Sequence, residues 1–230
     1  MQLIDANKAQ QGMTIVAQSQ VSGKGQRGKT WIDAPGQSLL MSIIVVPGRR
    51  IPEQFVFNAS IASAIADVLQ KSHTNWRVHI KWPNDIIIND KKAGGILIEN
   101  VLRGSRWTHS VVGLGINVKQ DHFPDSLPFA TSLQIAAGID FNLVKLRDEL
   151  RESIMLCTVC PLPAEKVMAR YNELLYKRTQ NQNFNNAGKI VAATILNAHS
   201  DGTIELQLED GTTAFYQHGQ MTWEWETTNP

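Results

Sequence analysis

Gly23-Lys24-Gly25-Gln26-Arg27-Gly28-Lys29-Thr30-Trp31 is the stretch on which the reading of this chain turns. Three glycines and three cations fall between Gly23 and Lys29, with no acid among them. Glycine lets a backbone turn sharply and approach a ligand closely. Successive backbone N–H groups in such a turn converge on an anion. Arg27 adds a planar fork suited to phosphate, and Lys24 and Lys29 add point charge. A phosphate-bearing guest is the expectation.

The same letters satisfy the P-loop pattern, Gly23-x-x-x-x-Gly28-Lys29-Thr30. That motif needs a buried strand before it and a helix opening at its Lys-Thr pair. Residues 17–22 are mostly polar, and Pro35-Gly36 would stop a helix after about one turn. A phosphate loop of another kind is therefore expected. The plain alternative is a solvated basic hairpin turn, which the adjacent Trp31 disfavours.

Outward from the loop, the chain has room for one large domain, or one with a small companion. It is 230 residues long, 43% hydrophobic, with a net charge of +1. Such a charge gives no bulk attraction to DNA or to a membrane surface. No apolar run reaches spanning length, and residues 1–7 lack the features of a signal peptide. A cytoplasmic chain is expected. Cys157 and Cys160 are the only cysteines. Zinc would need a second pair, and a thioredoxin-type site would need a strand before the motif, so two small buried residues are expected. No metal-ligand constellation and no G-x-S-x-G elbow is present.

Periodicity predicts a short helix over 3–11 and a strand over 13–17. A buried strand over 38–46 follows, then a helix over 52–71 whose small apolar residues suit packing on a sheet. Val78, Ile80 and Trp82 alternate with Arg77, His79 and Lys81, the period of a half-buried strand. Ile86-Ile87-Ile88 resumes after Pro83-Asn84, and Asn89-Asp90 reads as a hairpin turn into 91–98. A further strand covers 107–118, loops cover 119–141, and helices are expected near 143–154 and 163–176. Residues 180–188 are polar and linker-like, and three short strands with Asp-Gly turns follow. The division expected is 1–180 and 181–230, the second part being a small all-β unit.

Two more segments carry polar residues that strand logic leaves unexplained. One is Lys81-Trp82-Pro83-Asn84-Asp85 with Lys92 beyond the hairpin; the other is Gly113-Leu114-Gly115-Ile116-Asn117. Asn84-Asp85 is good turn chemistry by itself. Asp85 is also suited to orienting or deprotonating an amine, and Lys92 to neutralising charge that builds on a phosphate. Glycines inside a strand mark close approach by a ligand or another backbone.

Taken in order, 20–31, 81–85, 92–99 and 113–117 resemble the biotin protein ligase family, and the likeness runs along essentially the whole chain. The resemblance implies an α+β fold, a mixed and mainly antiparallel sheet with helices of class II synthetase type, followed by an SH3-like β-barrel. It implies ATP-dependent adenylation of biotin to biotinyl-5′-AMP, with magnesium accompanying ATP. Transfer to a lysine of a biotin carboxyl carrier domain would follow. By motif, Gln20, Gly23, Lys24, Gly25 and Gln26 would wrap biotin. Gly94, Gly95, Gly113 and Gly115 would form the floor of the biotin pocket. Arg27 and Lys29 would meet the phosphates, Trp31 would flank the adenine, and Lys92 would touch both biotin and the α-phosphate. Asn84 and Asn117 would support the nucleotide, while Lys92, Asp85 and Arg27 would carry the chemistry.

Lys24 and Gln26 stand where the family has arginine, and the family's Ser-Thr-Asn segment is not found before the first helix. No helix-turn-helix segment precedes the rest, so no DNA-binding role is expected; a homodimer is compatible with this reading. The lipoate-ligase branch shares the fold and an adenylate intermediate, but the loop and Lys-Trp-Pro-Asn-Asp favour biotin. A relative that binds biotin or nucleotide without catalysis is the non-enzymatic alternative.

Overall fold

A computed structural model describes residues 1–28, 30–47 and 53–224. Lys29 and the expected helix start at Pro52 lie outside the described residues. In chain order come α1 (Gln2–Asp5), β1 (Thr14–Ala17), β2 (Gly23–Lys24), β3 (Thr30–Trp31), β4 (Ser38–Val45) and α2 (Gln54–Ser72). Then come β5 (Val78–Lys81), β6 (Asp85–Ile88), β7 (Lys91–Arg103), β8 (Arg106–Asn117), α3 (Leu133–Ala137), α4 (Leu143–Val159) and α5 (Ala164–Glu173). The chain closes with β9 (Asn181–Asn186), β10 (Lys189–Ala198), β11 (Ile204–Leu208), β12 (Thr213–Tyr216) and β13 (Thr222–Trp223).

The larger sheet has six strands in the order β1-β4-β8-β7-β6-β5, every neighbouring pair antiparallel. Its two faces are chemically different. Leu39, Met41, Ile43 and Val45 of β4, Ile96 of β7, and Val112, Leu114 and Ile116 of β8 join the hydrophobic core with Phe57, Ile61 and Ile65 of α2 and Leu146, Leu150 and Ile154 of α4. These are alternate residues of each strand, so the period of two puts them on one side. The opposite side carries Leu40, Ser42, Gly95, Leu97, Gly113 and Gly115, which line a large cavity.

The second sheet has five strands in the order β12-β11-β10-β9-β13. The two sheets together give the mixed α+β architecture the motifs implied. β9 replaces the linker expected over 180–188. Its Asn and Gln residues have weak strand preference, but Gln182 and Phe184 alternate inward at 8% and 4% exposure. Pairing with β10 and β13 outweighs the local preference. Ala187 and Gly188, both at positive φ, make the tight turn into β10. The first helix is also shorter than expected. α1 ends at Asp5, and Asn7 at φ 54 turns the chain away.

The Asn89-Asp90 hairpin is as expected, with φ of 49 and 66 at its two turn residues. The cysteines depart from expectation. Cys160 is exposed beyond the end of α4, while Cys157 is partly buried. Burial pushes the Cys157 thiol up to about 11, which leaves it unreactive at neutral pH. No helix among the described residues is long and apolar enough to cross a membrane.

Candidate active site

The cavity beneath the glycine-bearing face has a volume of about 950 Å³. Its walls come from parts of the chain far apart in sequence. Gln20, Lys24, Gly25, Gln26, Arg27 and Trp31 form one side. Lys81 to Asp85 and Lys92 form the end, and the second sheet closes the rest through residues such as Tyr216, His218 and Trp223.

Lys92 reaches this cavity because of an irregularity in β7. Ile86 pairs with Gly94, but Ile87 pairs with Lys92, so Ala93 is an extra residue on the bulged strand. In unbroken alternation Lys92 would share the face of Gly94 and Ile96, which look into the core. The bulge sends Ala93 inward at 0% exposure and turns Lys92 toward the cavity. There its Nζ lies 2.7 Å from Asp85 Oδ1. Gly95 is the partner of Asp85 across the ladder, where a Cβ would make an ordinary contact with Asp85 Oδ1 at 3.6 Å. The Lys92 backbone is fixed separately, its N–H donating to Phe129 O at 2.7 Å and its carbonyl accepting from Thr131 N at 2.9 Å.

The turn before β6 is held just as firmly. Asn84 N–H donates to Lys81 O at 3.1 Å, and Ile96 N–H donates to Asn84 O at 3.1 Å. The Asn84 side-chain amide donates to Ile96 O. Asn84 therefore pins the turn to β7 and places Asp85 at the cavity rim.

Trp31 lies across the glycines of the sheet. A Cβ at Gly115 would fall 2.9 Å from its indole, and one at Gly95 would fall 3.6 Å away. The strand glycines thus make a trough in which a large flat ring rests. The indole Nε1 is buried without a partner, as are Gln26 Oε1 and Trp82 Nε1. Buried donors and acceptors are normally satisfied, so these three atoms at one cavity fit a polar guest.

Thr30–Trp31 is a strand paired with Gly23–Lys24, so no helix opens after Lys29 and the P-loop reading fails. Arg27 stands in the left-handed region at φ 54 and ψ 39, followed by Gly28 at φ 76. Its Nη1 donates to His218 O at 2.5 Å, fastening the loop to the connection between β12 and β13. Gly219 gives the guanidinium room that any Cβ would take.

Several expected residues are placed elsewhere. Gly94 faces the core, where a Cβ would stand 2.8 Å from Gly115 O and run into Ile116. Gly23 is buried against Trp31 O and Gln20 Oε1, shaping the loop from behind. Asn117 is 6% exposed, and its amide donates to Thr131 O at 3.0 Å, so it braces the segment after β8 and does not line the cavity. Gln20, Lys24, Gly25, Gln26, Arg27, Trp31, Asn84, Asp85, Lys92, Gly95, Gly113 and Gly115 all come together at the cavity. Sequence reasoning missed the wall from the second sheet, including Trp223, whose ring carries Lys81 Nζ at 5.1 Å. The aromatics at 216 and 223 were the available signal, in a tail whose strands looked self-sufficient.

The chain is similar in sequence and in fold to known proteins. The bifunctional ligase/repressor BirA of Bacillus spizizenii is 37% identical over 155 residues, 66% of this chain and 46% of that protein. Biotin–[acetyl-CoA-carboxylase] ligase of Paracoccus denitrificans is 32% identical over 106 residues, 45% of this chain and 43% of that one. The chain thus spans about half the length of the curated relatives it matches. Among solved structures, biotin protein ligase from Aquifex aeolicus in complex with biotin and ATP superposes with a TM-score of 0.76. It covers 95% of this chain and 91% of the other at 18% identity, a likeness of fold. A family model described as biotin/lipoate A/B protein ligase matches residues 2–117, which spans the glycine loop, the bulged strand with Lys92 and both trough strands. The chain belongs to the biotin/lipoate A/B protein ligase family.

Proposed function

We propose that the chain is a biotin protein ligase that makes biotinyl-5′-AMP from biotin and ATP and passes biotin to a lysine of a biotin carboxyl carrier domain. The observation that carries the reading is Lys92 paired with Asp85 at 2.7 Å inside a cavity roofed by the cationic glycine loop. In the first step a carboxylate oxygen of biotin attacks the α-phosphorus of ATP. The bond to the bridging oxygen breaks, and pyrophosphate leaves with its electron pair. Such transfer depends mainly on positioning and charge neutralisation. In this reading Lys92 meets the carboxylate and the α-phosphate together, and Arg27 is the loop cation that neutralises the departing pyrophosphate, with Lys29 assigned the same part from its motif alone. Trp31, in its glycine trough, takes the adenine.

In the second step the carrier's lysine amine attacks the acyl carbon, the acyl–phosphate bond breaks, and AMP leaves. The amine gives up a proton, for which Asp85 is the carboxylate at hand. Between the steps the loop keeps water from the mixed anhydride. Magnesium enters with ATP through the phosphates. No group of three or more His, Cys, Asp or Glu suited to a metal occurs among the described residues. Residues 1–180 form the catalytic unit and 181–230 a C-terminal unit, whose described residues supply part of the cavity wall. Biotin is preferred over lipoate because the loop and the Lys-Trp-Pro-Asn-Asp turn take the biotin-ligase form.

Radiolabelled biotin and, separately, radiolabelled lipoate, each offered with a carrier domain with and without ATP, test the proposal. Label on the carrier that depends on ATP is the expected result. Label from lipoate alone, or none from either acid, would refute it.

A further inference from the structure

Tyr171 of α5 is fully buried, at 0% exposure, and lies behind the cavity rather than in it. Its hydroxyl donates to Pro83 O at 2.9 Å, 88 residues away in sequence. Phe55 of α2 meets the ring edge-on at 5.6 Å and fixes its tilt. Burial, reinforced by the charge of Asp85 nearby, raises the phenol well above its ordinary range. The hydroxyl therefore remains a donor at any working pH. The other groups of the 81–85 turn are tied to the sheet: Asn84 to Lys81 and Ile96, Asp85 to Lys92. The Pro83 carbonyl has a helix for its partner.

We infer that Tyr171 is a positioning residue for adenylate formation: by holding the Pro83 carbonyl it sets Asn84 and Asp85, and through Asp85 the place of Lys92. The inference rests on the function proposed above. It follows from how the turn is clamped. β7 grips the turn through Asn84, and Tyr171 of α5 grips it one residue earlier through Pro83. Without the hydroxyl, a partly buried carbonyl loses its donor and the turn relaxes toward water. The Asp85–Lys92 pair moves with it, and small displacements of reacting groups are costly in rate. The neighbouring Asn172 provides an internal comparison. Its amide donates to Ala198 O at 3.0 Å and accepts from Ala198 N at 2.7 Å, tying the same helix to the second sheet and not to the turn.

The test measures biotinyl-5′-AMP formation by the whole chain at varied biotin and ATP, with thermal unfolding alongside. Tyr171→Phe is expected to lower kcat about tenfold while both KM values stay within about twofold. Asn172→Ala is expected to lose as much thermal stability or more, yet keep kcat within about twofold. Phe55→Leu keeps the hydroxyl but frees the ring, and kcat is expected to fall about threefold. It decides the matter if Tyr171→Phe does not fold. Wild-type kcat in Tyr171→Phe, or an equal fall in Asn172→Ala, would overturn the positioning role and leave the proposed function standing. A wild-type chain that makes no adenylate would overturn both.

Discussion

Lys92→Ala is expected to slow biotinyl-5′-AMP formation by about a thousandfold, the scale of losing a preorganised charge aimed at a developing anion. The substitution is well isolated from the fold. The structural bonds of residue 92 run through its backbone, to Phe129 and from Thr131, and alanine keeps both. The ammonium is 36% exposed and its partner carboxylate 25% exposed, so the ion pair contributes about 1 kcal/mol or less to stability. Unfolding should therefore stay close to wild type while single-turnover adenylation collapses. Lys92→Arg should recover only part of the rate, because a planar fork does not reproduce a compact ammonium. Adenylation at wild-type rate in Lys92→Ala would remove Lys92 from the chemistry.

Gly115→Val should be the next most damaging change, and by a different route. Its Cβ would enter 2.9 Å from the Trp31 indole, too close for the ring to stay. Valine suits a strand, so β8 should form as before. Trp31 must then leave the trough, and ATP would lose the surface proposed for its adenine. A base–aromatic stack is worth about 1–3 kcal/mol. The expected outcome is KM for ATP raised by about tenfold to a hundredfold, with biotin binding in the absence of ATP largely retained. Titration with ATP and with biotin separately would check this. Equal loss of both ligands would mean the trough serves the whole cavity.

What the residues disclosed in advance was chiefly local. Strand and helix periods placed the larger sheet and its helices, because each depends on neighbours within a few positions. Gly23 to Trp31 and Lys81 to Asp85 were legible for the same reason, since turn chemistry, charge and spacing lie within single short segments. Features set by distant contacts were hidden. The bulge at Ala93, which decides the face on which Lys92 projects, is defined only by its pairing with Ile86 and Ile87. Arg27 meets His218 across 191 positions, and no local pattern announces it. β9 looked like a linker because its asparagines and glutamines say turn, while the partners that make it a strand lie on β10 and β13. Gly94 and Asn117 belong to recognisable motifs, yet the pleat sends one into the core and packing commits the other to Thr131. Motif membership did not distinguish residues that touch a guest from residues that hold the site in shape.

The second sheet also changes how the site is understood. Without Tyr216, His218 and Trp223 the cavity would be a trough open on one side. With them, the loop carrying Arg27 is tied through His218 to the connection between β12 and β13.

The most direct measurement is a crystal structure of the chain with biotinyl-5′-AMP. The account predicts the phosphate within hydrogen-bonding distance of Lys92 Nζ, the adenine against Trp31 and the glycine loop folded over the acyl phosphate. A ligand seated outside this cavity, or one whose phosphate stands clear of both Lys92 and the loop, would contradict it.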